Sequence, residues 1–329
     1  MLSLVREWTV PCMFLLIACA SSVGIGKALA DEPVEPEPVV QAEEVVVSAT
    51  KTPLPVSHVT SAVEVITEQD MKKQNIRSVV DALRLAQGLA VFSSGGPGTE
   101  VNARIRGGSS SQTLVLIDGA IVNSGTLGSY DFSNLTTDNI ERVEILRGAQ
   151  SMLWGSDAMG GVINIVTKRG QGPLSTTGFL EYGSFASLRE GGTVSGKTGI
   201  VDYSLSLSRW DTSSFSAVNY RRGATERDSY RNWQGSGRIG VDLPKDGRLD
   251  FNMRWMNSDV QLDSVSATFP SDVYGSKIQN QQYVFSGSYD QPLTSWWSQK
   301  LTLARSQEAS LFLPGTLQRS LVTGLFSTP

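Results

Sequence analysis

The pattern of apolar and polar positions changes character at Lys168. Beyond it, apolar side chains recur at every second position. Tyr203, Leu205 and Leu207 alternate with Ser204, Ser206 and Ser208, and Leu249, Phe251, Met253 and Trp255 alternate with Asp250, Asn252 and Arg254. Ile239, Val241 and Leu243 repeat the pattern, as do Tyr283, Phe285 and Tyr289, and Leu301 and Leu303. A period of two marks a strand with one apolar and one polar face. About eight such strands are predicted, near Thr177–Gly183, Leu188–Gly196, Val201–Trp210, Asn232–Leu243, Arg248–Ser258, Gln281–Asp290, Ser298–Gln307 and Leu317–Phe326. A soluble β-sandwich shows the same alternation. Long strands, charges and serines along the polar face, and Trp210, Trp233, Trp255, Trp296 and Trp297 near strand ends favour a membrane barrel with interfacial aromatics instead.

Before Lys168 the pattern is mixed. Ala62–Thr67 reads as a strand, and Thr67 caps a helix with Glu68 and Asp70 in its first turn. Ser78 caps a second helix whose face is Val79, Leu83 and Ala86, ending near Gly88. Leu89–Phe92, Val101–Arg106 and Leu114–Ile117 follow as strands, the last stopped by Asp118-Gly119. Loops are expected at Ser93–Gly98, Gly107–Gly108 and Asn123–Asp131. The order predicts a small α/β or α+β domain. Ile140–Lys168 joins the two regions. Val143, Ile145 and Leu146 give one strand signal and Val162–Thr167 another, separated by turns at Gly148, Gly155, Gly160 and Gly161.

The 329 residues leave room for about two domains, and a net charge of −4 gives no nucleic-acid signature. Residues 1–30 read as a secretory signal peptide closing on Ala28-Leu29-Ala30. Leu16-Ile17-Ala18-Cys19 offers a lipoprotein cleavage box as the alternative. Both cysteines, Cys12 and Cys19, lie in this leader, so cleavage after Ala30 leaves no thiol chemistry. Residues 31–42, with Asp31-Glu32-Pro33 and Glu35-Pro36-Glu37-Pro38, form an acidic, extended tether. Glu44-Val45-Val46-Val47-Ser48-Ala49-Thr50 is then either a first strand or a strand offered to the sheet edge of another protein.

Four motifs, in order, resemble those of the TonB-dependent outer-membrane receptors. Glu44–Thr50, within residues 43–50, resembles the TonB box. Arg104-Ile105-Arg106-Gly107 and Val115-Leu116-Ile117-Asp118-Gly119 resemble two plug motifs. Ile140–Lys168 resembles the signature that closes the plug. The run Trp154-Gly155-Ser156-Asp157-Ala158-Met159-Gly160-Gly161 looks most like that of the vitamin B12 (cobalamin) receptors. Gln87-Gly88 replaces the family's Pro-Gly. The resemblance implies an α/β plug domain at 51–168 and an incomplete antiparallel transmembrane β-barrel at 169–329, in the outer membrane of a Gram-negative cell.

The function implied is TonB-dependent uptake of a scarce nutrient, cobalamin or a ferric siderophore, gated by the plug and powered by the inner-membrane complex. Substrate would meet plug loops at Ser93, Ser94, Gly95 and Gly96, at Ser109, Ser110 and Gln112, and at Asn123, Ser124, Thr126, Leu127 and Tyr130. Arg106 and Arg147 would face barrel carboxylates. The partners are TonB, the small-molecule substrate and outer-membrane lipid.

No cofactor is expected. The cobalamin receptors hold calcium in barrel loops, which leaves calcium open here, although the loop around Glu226-Arg227-Asp228 is mixed in charge and puts it in doubt; His58, the only histidine, sits by the TonB box and argues against haem. Gly235-Ser236-Gly237-Arg238-Ile239-Gly240 fits a dinucleotide fingerprint, but no helix follows to bind pyrophosphate. Glycines facing a crowded barrel interior are the better reading, and no catalytic constellation argues for an enzyme. A plugged barrel of about 22 strands takes on the order of 220 strand residues, against 329 − 168 = 161 after Lys168. With Ser327-Thr328-Pro329 in place of a terminal aromatic, that predicts a truncated chain. The alternatives are a non-transporting plug remnant that binds TonB or ligand only, and a soluble secreted β protein.

Overall fold

The structure, a computed structural model, describes residues 45–46, 54–59, 61–216, 227–262, 276–294, 297–313 and 316–328. The expected signal peptide and tether, and Glu44, Val47, Ser48, Ala49 and Thr50 of the TonB-box segment, lie outside them. Strand β1 (Val45–Val46) pairs antiparallel with β2 (Leu54–Pro55). The plug follows as β3 (Ala62–Thr67), α1 (Glu68–Lys73), α2 (Val79–Leu85), β4 (Leu89–Ser93), β5 (Val101–Ile105), β6 (Thr113–Ile117), β7 (Ala120–Ile121), β8 (Ile140–Arg147), α3 (Ser151–Trp154) and β9 (Gly161–Thr167). Local chemistry sets the helix starts. Thr67 accepts from the Asp70 amide while the Asp70 carboxylate accepts from the Thr67 amide, a full capping box. Ser78 caps α2 through the Asp81 amide.

The central sheet runs β3-β8-β9-β6-β7, with β6 and β9 parallel. It buries apolar side chains on both faces. Ile117, Ile145, Ile163 and Ile165 pack with Val79, Leu83, Phe132 and Ile140, whereas Leu114, Leu116, Leu146 and Val162 form a separate cluster with Ala158. At Gly161 a Cβ would lie 2.7 Å from Ile105 Cδ1, so only glycine lets β9 enter here.

Eight antiparallel strands then follow in simple order: β10 (Ser175–Gly183), β11 (Ser187–Thr198), β12 (Val201–Thr212), β13 (Tyr230–Leu243), β14 (Gly247–Gln261), β15 (Lys277–Thr294), β16 (Trp297–Leu313) and β17 (Thr316–Thr328). All eight predicted strands are present, each of them longer than predicted. The sheet is not closed, as expected for an incomplete barrel.

Its faces are reversed relative to a soluble sandwich. Asp202 and Ser204 are 3% and 0% exposed, while Leu205, Phe251 and Leu303 are 54%, 55% and 59% exposed. The polar face is covered by the plug and the apolar face points outward. From Leu243 to Trp233 on β13 the outward apolar band covers 243 − 233 = 10 steps, about 33 Å along a strand at ~3.3 Å per residue and about 25 Å vertically at ~40° tilt. That matches the hydrocarbon band of an outer-membrane barrel.

Two sequence expectations are corrected. Trp233, under the Arg209 guanidinium at 5.0 Å, and exposed Trp297 mark the two edges of the band. Trp210, however, faces inward, its ring edge-on to buried Tyr230 at 5.2 Å, and Trp255 lies within the band opposite Gly235. Trp296 lies outside the described residues. Gly235 and Gly237 do not face a crowded interior. They sit on the outward face beside Leu207 and Leu205, and Gly240 alone of the three points inward, against Asp202 and Arg248. Strand parity fixes this, since positions an odd number apart take opposite faces.

Candidate substrate face and plug–wall interface

The connections after Thr212 and Gln261 are long, and those at 199–200 and 244–246 are tight turns at the opposite end. Barrels place longer loops outside and short turns toward the periplasm. The expected substrate loops gather at the long-loop end. Gly96 lies against Ser214 and Phe215. Gly98, at φ 82°, fits under Tyr230 and Val260, where a Cβ would lie 2.8 Å from Val260 Cγ2. The Gly125 amide donates to Ser320 Oγ at 2.8 Å, and Ser111 packs on Gly128.

Ser93, Ser94, Gly95, Ser109, Thr126 and Leu127 are exposed there, with Gly96, Ser110, Gln112 and Ser124 half-buried. Their polar atoms partly serve the loops themselves. Ser93 Oγ donates to Gly95 O at 3.0 Å, and Gln112 Oε1 accepts from the Ser109 amide at 3.0 Å. Asn123 and Tyr130 stand apart from the open surface. Asn123 is 3% exposed and spends its amide on Val115 N, Thr113 O and Gly128 O. Tyr130 is 6% exposed and donates to Gln282 Oε1 at 3.2 Å. Their alternating polar context resembled a loop surface, but one pins the β6–β7 hairpin and the other braces the plug against β15.

Beside Tyr130, Asp131 accepts from the Val101 and Ser133 amides at 2.8 and 2.9 Å and from Ser133 Oγ at 2.9 Å. Burial nevertheless pushes its carboxyl up to about 6, because desolvation outweighs the three donors.

Arg147 stays within the plug, donating to Gln87 O at 2.6 Å and pairing with Glu64 at 3.3 Å. Arg106 is exposed in a left-handed turn at φ 49°. The described plug–wall contacts run through other residues. Asp118 faces Arg238 at 3.5 Å, and Asp138 pairs with Arg189 at 2.7 Å. Tyr230, Asn232 and Gln234 converge on Asn134, and Asn139 donates to Ser236 Oγ at 2.7 Å. Asp118 also accepts from the Thr167 amide and hydroxyl at 2.9 and 2.8 Å. The sequence flagged Asp118 as a strand stop and as part of a plug motif, not as a contact to the wall. Its partner lies 238 − 118 = 120 positions away, beyond any local pattern.

Comparison with known proteins agrees with this architecture. Residues 55–162 match the family model described as the TonB-dependent Receptor Plug Domain. The vitamin B12 transporter BtuB of Photobacterium profundum is 36% identical over 154 residues, 47% of this chain and 25% of that protein. BtuB of Vibrio cholerae serotype O1 (strain M66-2) is 35% identical over 161 residues, 49% of this chain and 24% of that protein. The chain thus spans about a quarter of the length of these relatives. Among solved structures, the pyoverdine outer membrane receptor FpvA of Pseudomonas aeruginosa PAO1 superposes with a TM-score of 0.68 at 20% identity, covering 81% of this chain and 40% of the receptor. The siderophore receptor PirA of Acinetobacter baumannii gives 0.60 at 22% identity, covering 80% and 44%. These likenesses establish the fold. Residues 55–162 thus carry the plug domain of the TonB-dependent receptors, and the open, inside-out sheet that follows has the fold of their barrel strands.

Proposed function

We propose that this protein serves TonB-dependent uptake of a scarce nutrient across the outer membrane. The observation that carries the reading is the plug seated on the polar face of an outward-apolar sheet, an arrangement that serves a gated pore and no soluble protein. Sequence relatives named vitamin B12 transporters favour cobalamin as substrate, and the pyoverdine and siderophore receptors among the structural neighbours keep ferric siderophores as the second candidate. Substrate would dock on the loops around Ser93–Gly96, Ser109–Gln112 and Ser124–Leu127. TonB would then take up the segment 44–50 as an added strand. In the resting fold Val45–Val46 already pairs with Leu54–Pro55, so TonB would add to the free edge or displace that pairing. Pulling on this strand would strain a plug held to the wall by ion pairs and hydrogen bonds around a small apolar contact at Val284 and Ala304, which suits reversible release.

The test is uptake of labelled cyanocobalamin, and of an iron-loaded siderophore in parallel, by cells expressing the protein and its Val46→Pro variant. Proline removes the amide that strand addition requires. Loss of uptake in the variant with surface level unchanged supports the reading, and undiminished uptake overturns it.

A further inference from the structure

The outward face carries one anomaly. Between the rows of Leu243 and Trp233 its side chains are Tyr203, Leu205, Leu207, Ile239, Phe251, Met253, Phe285 and their neighbours, with Arg305 the only charged group among the described residues. Arg305 stands directly opposite Phe285 on β15 and Thr323 on β17, near the middle of β16. It is exposed and makes no ion pair or side-chain hydrogen bond among the described residues. A guanidinium facing hydrocarbon without a partner is costly, so such a group is retained where an anion reaches it.

Two further features say which anion. First, a groove of about 590 Å³ opens beside Arg305, lined by Leu205, Ile239, Phe251, Phe285 and Leu303, with Gly237 and Gly287 at its base. A Cβ at Gly237 would meet Leu205 at 3.1 Å and one at Gly287 would meet Phe251 at 3.6 Å, so a larger side chain at either position would narrow the groove. Second, polar groups climb from Arg305 toward the long-loop end. Gln307 is exposed two positions on, and exposed Arg319 pairs with Ala309 in the next outward row. An apolar slot below and a cationic ladder above match the two ends of one amphiphile, acyl chain and phosphate.

We propose that Arg305, Gln307 and Arg319, with the Gly237–Gly287 groove, form a binding site for a lipid of the leaflet at the long-loop end whose phosphate headgroup is net anionic. The acyl chain fills the groove, and the guanidinium reaches up the wall to the headgroup phosphate as long basic side chains do in membranes. The inference rests on the membrane reading of the outward face.

The full chain is first floated with phosphatidylcholine vesicles, which tests the membrane reading alone. Lipid retention is then read by native mass spectrometry from detergent micelles doped with phosphatidylglycerol, phosphatidylcholine or lipid A. Wild type is expected to retain phosphatidylglycerol or lipid A about fivefold over phosphatidylcholine, the factor that one basic side chain near an anionic headgroup supplies. The better-retained anionic lipid identifies the source of the phosphate. Arg305→Gln is expected to erase the preference, and Gly237→Leu to lower retention of all lipids with the charge intact. Equal retention of charged and zwitterionic lipid by wild type, or an unchanged preference in Arg305→Gln, overturns the proposal. So does an Arg305-dependent dimer, which would place a second copy of the chain on this face. Both variants are checked for wild-type flotation.

Discussion

Asp118 of the plug and Arg238 of the wall face one another at 3.5 Å, with side chains only 8% and 6% exposed. Arg238 also reaches Asp250 at 3.3 Å and Thr167 O at 3.2 Å, so this one guanidinium ties the end of β9 to β13 and β14. Without Asp118 the buried Arg238 keeps only Asp250 and Thr167 O, and the Thr167 amide and hydroxyl lose their acceptor. Asp118→Ala is expected to cost about 3 kcal/mol in urea unfolding. Pairing it with Arg238→Met should recover part of the loss, and an additive double mutant would show that the two do not interact.

Asp131 sets a pH response. Its folded pKa is raised to about 6 from the ordinary 3.8. Both states are protonated below about pH 4. As pH rises through the window up to about 6, the unfolded carboxyl ionises more readily than the buried one, and stability falls by roughly 3 kcal/mol. Asp131→Asn should flatten stability between pH 4 and 6, measured by denaturant midpoints, and a midpoint slope unchanged in the variant would refute the assignment.

Gly98 lies at φ 82° with Tyr230 and Val260 against it. Gly98→Ala adds a methyl where the backbone disfavours one and the wall leaves no space. It is expected to destabilise by about 1–3 kcal/mol and to speed amide exchange in residues 93–99, while Gly107→Ala, with open space around the added carbon, shows only the backbone effect.

Phe251 is 55% exposed on the outward band, and Asn252 lines the inner cavity with Leu116 and Asp118 of the plug. Phe251→Arg is expected to reduce insertion by roughly 2–4 kcal/mol, the cost of a cation near the midplane of a barrel's lipid face. Heat-modifiable gel migration reads it. Equal insertion of Phe251→Arg and wild type would remove the lipid from this face.

Much of the architecture was legible in local chemistry. Thr67 and Ser78 announced the starts of α1 and α2 through their caps, and the alternation of Leu249 to Trp255 announced β14. The plug loops were legible as glycine and serine clusters. Less legible was which of their residues are open. Asn123 and Tyr130 have the composition of surface-loop residues, and only the partners Val115 and Gln282 show them to be inside.

The sequence by itself determined the strands, their two faces and the plug's local turns, because period, caps and glycine conformations act over a few residues. The tertiary structure decided which face is inside. A period of two is blind to whether water, lipid or a plug lies against either side, and that contact alone tells an inward Trp210 from an outward Trp233. It also decided the ties across the boundary, Asp118 to Arg238 and Asp138 to Arg189, because opposite charges so far apart in the chain leave no trace in pattern until the fold brings them together.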